Sequence, residues 1–113
     1  MEVNIMFETT NLDMLDIENG AREIVYAVYH FHHFREDIQE ARSFKGYDDG
    51  YLPLKQHYVE SAKEQFKLYK HCVNNAYYYL GASNKEAIDK LIFKYKYQQQ
   101  ELSVAKMKQI IKK

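Results

Sequence analysis

The sequence predicts an all-α protein: an antiparallel bundle of three long helices, four if Gly20 breaks the first, with a short extended N-terminal segment. Three observations predict it. Apolar residues recur at spacings of three and four through nearly all of the 113 residues, the period of amphipathic helices. The four glycines and the one proline fall where such stretches should break. The connection Gly81–Ser83 is so short that the helices on either side must fold back nearly antiparallel. Apolar residues at 46% and aromatics at 15% are enough for a folded core in one domain spanning 1–113.

The first eight residues are the exception to the helical period. Met1, Val3, Ile5 and Phe7 alternate with Glu2, Asn4, Met6 and Glu8, a period of two. No second strand exists to pair with this segment, so residues 1–10 are extended or flexible. Disorder, docking on the bundle, an early helix start and pairing between chains remain open. Helix one is expected from about Asn11, with Thr10 or Asn11 as cap and Asp13 and Asp16 favourable at the positive end of the dipole. It runs to about Phe44, with Ile17, Ala21, Ile24, Val28, Phe31, Ile38 and Ala41 on one side. Tyr26, Tyr29, His33, Glu36 and Glu40 fall on the other. A loop over Lys45–Leu52 contains the turn signal Asp48-Asp49-Gly50.

Pro53 suits the first turn of helix two, which should reach Leu80 and end on Gly81 as its C-cap. Leu54, Tyr58, Ala62, Phe66, Tyr69, Cys72, Val73, Ala76, Tyr77 and Leu80 share one face of it. Helix three opens with Ser83-Asn84-Lys85-Glu86, a capping-box pattern, and from there the period continues to the C-terminus. This last helix is apolar on two sides. One stripe holds Ile88, Leu91, Ile92, Tyr95, Leu102 and Ile110; the other holds Phe93, Tyr97, Val104, Met107 and Ile111. A helix against one core needs one stripe, so the second implies another surface to bury, whether a helix over Asn11–Asn19 folded on it within the chain, a partner protein or a second copy. With Gln100 completing the seam, its spacing is near that of a heptad, suited to a second copy of the chain in a homodimer.

The sequence offers little chemistry. Cys72 is the one cysteine, which excludes an internal disulfide and a multi-cysteine metal site. It falls on the apolar face of helix two, where a thiol behaves as a small hydrophobe, and His71 lies about 100° away around the helix. The run Tyr29-His30-Phe31-His32-His33-Phe34-Arg35-Glu36 has imidazole and carboxylate one turn apart, as has His57 with Glu60. Di-iron bundles use the reverse order, glutamate then histidine, facing inward. No phosphate loop or nucleophile elbow is present. The expectation is a protein that is not an enzyme and has no catalytic residue, metal site or cofactor.

Net charge is zero, but unevenly spread. Met1–Gly50 carries eleven acidic residues against four basic, and Asn84–Lys113 eight lysines against three acids. The lysines of helix three interleave with Phe93, Tyr95 and Tyr97, yet they spread around the helix and no arginine accompanies them, so direct nucleic-acid binding is not expected. Eleven tyrosines with no tryptophan, several facing outward, favour an interface. The residues expected at it are Phe93, Tyr97, Gln100, Val104, Met107, Ile111, Tyr26 and Tyr29. The start of the chain has no basic stretch and no continuous apolar run, so neither a signal peptide nor a membrane span is expected, and the cytoplasm is the expected location. The functional expectation is stoichiometric protein–protein association, as an inhibitor or regulator of a larger protein or nucleoprotein machine. A nucleic-acid-binding regulator and a structural subunit are the alternatives. High usage of Lys, Asn, Ile and Tyr fits an AT-rich genome, such as those of low-GC bacteria and their phages.

Overall fold

A computed structural model describes residues 5–44, 52–98 and 101–112. Among them, 83% are helical and none is in a strand. Helix α1 spans Met14–Arg42, α2 Leu52–Leu80, α3 Lys85–Lys96 and α4 Val104–Lys112, with a 3₁₀ turn at Ala82–Asn84 between α2 and α3. The expected turn at Asp48-Asp49-Gly50 lies outside the described residues.

Helix α1 starts later than Thr10 or Asn11. Asp13 is the N-cap: its carboxylate accepts the Asp16 N–H at 2.7 Å, and the Asp16 carboxylate accepts the Asp13 N–H at 3.3 Å. This reciprocal pair satisfies two donors that a helix start leaves free, with both charges at the positive end of the dipole. Gly20 does not break the helix. It is buried against α2, and a Cβ placed there would come within 2.6 Å and 2.8 Å of Leu80 Cδ2 and Cδ1. The glycine is there for close approach, and Leu80 fills the space.

Helix α1 packs antiparallel on α2, as the paired side chains show. The Asn75 amide donates to Glu23 at 3.4 Å, His30 Nδ1 meets Gln65 Oε1 at 2.8 Å, and Ser61 Oγ donates to Asp37 at 2.7 Å. Each helix has 29 residues, about 43 Å at 1.5 Å per residue, and the molecule measures 58 × 30 × 21 Å. Pro53 sits in the first turn of α2, where its missing N–H costs nothing. Gly81 ends that helix at φ +89, its N–H reaching Tyr77 O at 2.9 Å. Only glycine takes that left-handed backbone without penalty.

The expected capping box at Ser83–Glu86 is absent: the start of α3 has no side-chain cap. The neighbouring Asn84, 2% exposed, does other work. Its amide donates to Leu80 O at 2.7 Å and Glu8 O at 2.8 Å, while its carbonyl accepts the Glu8 N–H at 2.7 Å. One side chain thereby satisfies both backbone groups of an extended residue and fastens the N-terminal segment to the bundle. Ile5 and Phe7 turn inward and Met6 and Glu8 outward, so the period of two records a segment docked on the core.

The last helix is two helices. α3 ends at Lys96, residues 97, 98 and 101–103 are non-helical, and α4 begins at Val104. Ser103 starts it, its Oγ accepting the Lys106 N–H at 3.1 Å. α4 packs on α1, burying Met107 and Ile111 completely, and Lys108 Nζ stands 3.8 Å from Glu18. The core joins Ile17, Ala21, Ile24, Ala27 and Val28 of α1 to Cys72, Ala76 and Leu80 of α2. α3 adds Ile88, Leu91, Ile92 and Tyr95. Beyond Phe31 on α1, and before Cys72 on α2, only Ala41 and Ala62 are buried among the described residues. That half is a two-helix arm. Leu54 and Phe66, expected on the core face of α2, are 46% and 36% exposed because, among the described residues, no third layer covers the arm.

Candidate interaction surface

Where the arm meets the base, three helices bring their aromatics together. Phe31 of α1 lies 5.2 Å from Tyr69 of α2 and 5.4 Å from Tyr97 at the end of α3, the latter edge-on. Phe34 and Phe66 follow at 5.0 Å, Phe66 and Tyr69 at 5.7 Å, and Phe93 and Tyr97 at 5.6 Å. The spacings suit offset and edge-to-face packing. Phe31 is buried at the centre, whereas Phe93 is 65% and Tyr97 53% exposed. His32 holds the end of α3 in place: its Nε2–H donates to the Tyr95 carbonyl at 3.2 Å, which leaves a group at the helix end satisfied.

Lys96 sits within this cluster. Its ammonium is 4.7 Å from the Phe31 centroid, 5.4 Å from Tyr97, 5.6 Å from Tyr69 and 5.7 Å from Phe93. The Tyr69 hydroxyl is 3.5 Å away. Arg35 lies 5.2 Å over Tyr97 and Lys70 5.2 Å over Phe66. All are within the range in which a ring quadrupole attracts a cation. Among the described residues, none of these three cations has a carboxylate partner within ion-pair distance. Beside the cluster, between α2 and α3, lies an open groove of about 400 Å³. Val73, Ile92 and Phe93 line it with Lys70 and Lys96, and Tyr77 and Asp89 stand in it too. The Tyr77 hydroxyl donates to the Asp89 carboxylate. Burial first, and then that carboxylate, push the Tyr77 phenol well above its ordinary range.

Of the eight residues expected at an interface, the seven described ones do not form one surface. Phe93 and Tyr97 are exposed together. Met107 and Ile111 are in the core, so the continuous heptad seam does not exist: the break after Lys96 lets α4 turn those two inward. Val104 is half-buried against the core, and Gln100 lies outside the described residues. Tyr26 and Tyr29 are 46% and 56% exposed but project about half a turn around α1 from Phe31. There Tyr29 packs on His33, with centroids 4.7 Å apart. Lys96, the centre of the cluster, was not among the expected residues. Its signal in the sequence is Phe93 three positions before it and Tyr97 one after, but Phe31 and Tyr69 come from other helices.

Four of the five histidines have ordinary partners, His33 through Tyr29 as above. His30 is tied to Gln65, His32 to Tyr95, and His57 packs edge-on to Tyr58 at 5.4 Å. Among the described residues no three His, Cys, Asp or Glu side chains converge to hold a metal ion. Cys72 is buried, and its thiol is pushed up to about 12. Burial is the main cause, followed by its hydrogen bond to the Glu23 carboxylate and that group's charge. A thiol so held stays protonated, hence a poor nucleophile. No described helix is long and apolar enough to cross a membrane. The chain matches no family model, no curated protein and no solved structure.

Proposed function

We propose that this protein acts by stoichiometric association with another protein, as an inhibitor or regulator of a larger protein or nucleoprotein machine. The contact is the aromatic surface at the end of α3. The observation that carries the reading is the exposure of Phe93 and Tyr97, 65% and 53%, on rings that belong to a six-membered aromatic cluster anchored by buried Phe31. Large aromatic side chains held rigid by neighbours, with cations interspersed, are the composition of interface centres. They bring contact area at little cost in rotamer freedom.

The test is affinity capture from the native cells, with quantitative mass spectrometry on the wild type and on a Phe93→Ala/Tyr97→Ala double variant. We expect one protein, or one assembly, recovered in fixed ratio with the wild type and reduced at least about tenfold with the variant, the effect of losing roughly 1.4 kcal/mol or more. Equal recovery would sink the reading. Nucleic acid as the retained species, lost on the same substitutions, would replace it with the nucleic-acid-binding alternative.

A further inference from the structure

We infer that the groove between α2 and α3 receives an acidic segment of the partner protein. An apolar side chain enters between Val73, Ile92 and Phe93, and carboxylates next to it meet Lys70 and Lys96. The inference rests on the association reading above and names the chemistry of the occupant.

The groove has an apolar floor and a charged end. Its volume of about 400 Å³ lies at the small end of ligand clefts, enough for side chains rather than a folded element. Its one carboxylate, Asp89, already accepts the Tyr77 hydroxyl. Both lysines have ring faces beneath them and, among the described residues, no acid within ion-pair reach. An ammonium carries three donors. The Lys96 ammonium has only the Tyr69 oxygen at 3.5 Å, so donors remain for an incoming oxygen. Four rings surround it and limit its motion, so the ordering that a flexible lysine loses on binding is already done. Those rings also displace water, which strengthens the attraction of a carboxylate over that at an open surface.

The same geometry argues against a nucleic acid. Bases would need open ring faces to stack on, but Lys96 and Arg35 lie over Tyr97 and Lys70 lies over Phe66. A carboxylate next to an apolar side chain needs no ring face and takes the ammonium edge.

The test is selection of random twelve-residue peptides displayed against the immobilised full-length protein, followed by solution binding of the enriched peptides. We expect Asp and Glu flanking Phe, Leu or Met. Affinity should fall at least tenfold with Lys70→Glu and with Lys96→Gln, and stay within about threefold with Lys96→Arg. It should also weaken as salt is raised, since surface charge is screened. Lys70 is exposed on α2, so Lys70→Glu reports on the groove even if changes at Lys96 disturb the rings; circular dichroism confirms that it folds. Neutral or basic selected peptides, or no enrichment, would overturn the inference. So would random single-stranded oligonucleotides whose binding depends on the same lysines, or a dimer of this chain dissociated by Lys70→Glu. Acidic peptides indifferent to both lysines would remove the groove and leave the association reading standing. That reading fails separately, if capture from cells ignores Phe93 and Tyr97.

Discussion

The base and the arm are made of the same two helices, and they differ in how those helices are covered. In the base, α1 and α2 meet α3, α4 and the N-terminal segment, and the buried side chains are aliphatic and fully enclosed: Ile24, Leu80, Ile88, Leu91, Met107 and Ile111 are all under 2% exposed. In the arm, among the described residues, each helix has only the other. Ala41 and Ala62 let the backbones approach and are buried, while the large residues lie in the seam half-wet: Phe34 on Phe66, and Phe44 stacked on Tyr58 at 6.0 Å. Two helices have a single shared seam, so a side chain wider than that seam must reach solvent. Three of the exposed aromatics, Phe66, Phe93 and Tyr97, therefore collect where enclosure runs out, at the junction of base and arm, and that is where the proposed contact lies; Tyr26, Tyr29 and Tyr78 are exposed elsewhere.

The sharpest way to break this comparison is to place a charge at equivalent points of the former stripe. Met107→Lys puts an ammonium where exposure is 0%, and should cost about 4 kcal/mol or more or detach α4. Phe93→Lys, on a side chain 65% exposed, should cost about 1 kcal/mol or less. Urea denaturation followed by circular dichroism decides; similar losses would mean that α4 does not belong to the core. Within the aromatic cluster, Phe31→Ala should cost about 3–5 kcal/mol and Phe66→Ala roughly two thirds of that, because Phe31 is 7% and Phe66 36% exposed. Equal losses would show that the arm is covered by something, such as a second copy.

These contrasts were only partly legible in the sequence. The helical class, Pro53 in the first turn of α2 and Gly81 at its end follow from local rules, and the structure keeps them. The split of the last helix was hidden by arithmetic. Residues 97–103 number seven, about two helical turns, so Phe93 and Tyr97 stay in phase with Val104, Met107 and Ile111 as if the helix ran on. No glycine or proline marks the break. Its signals are the polar run Gln98-Gln99-Gln100 and Ser103, a capping residue three positions before the lysine whose N–H it accepts. The role of Asn84 was missed for a different reason. Its partners are Leu80 and Glu8, the second 76 residues away, and no local pattern reports such a pairing. The Lys96 cluster is likewise assembled from three helices, so only its α3 part was visible.

Gly20 probes the close contact of α1 and α2 within the base. Gly20→Ala raises helix propensity by about 1 kcal/mol, yet its methyl would press on Leu80 at under 3 Å. Overpacking of this kind costs about 1–3 kcal/mol, so the net change should be a loss of about 1 kcal/mol. Gly20→Ala with Leu80→Val should recover part of it, the signature of coupled neighbours. A stabilised single variant would mean the two helices are further apart than described.

The smallest effect concerns how dry the base is, and Cys72 reports it through pH. Its thiol is raised from an ordinary value of 9.0 to about 12 by burial and by the Glu23 carboxylate. A thiol is neutral when protonated, so the folded state favours the proton. Below pH 9 both states are protonated and stability is undiminished. Above it the unfolded chain releases its proton first, and stability falls by about 1.4 kcal/mol per pH unit until the folded thiol also ionises. At pH 10 the loss traceable to this group should be about 1 kcal/mol. Lysines and tyrosines titrate in the same range, so the measurement is the difference in slope between wild type and Cys72→Ala from pH 8 to 10. The variant should lose less on that interval, whatever its stability at pH 8. A thiol-specific reagent should likewise label Cys72 only as fast as the base opens, while amides of the arm exchange faster than those of the base. Equal slopes together with rapid labelling would put Cys72 in water. The enclosure that separates base from arm would then be lost at the point where α1 and α2 should be most tightly covered.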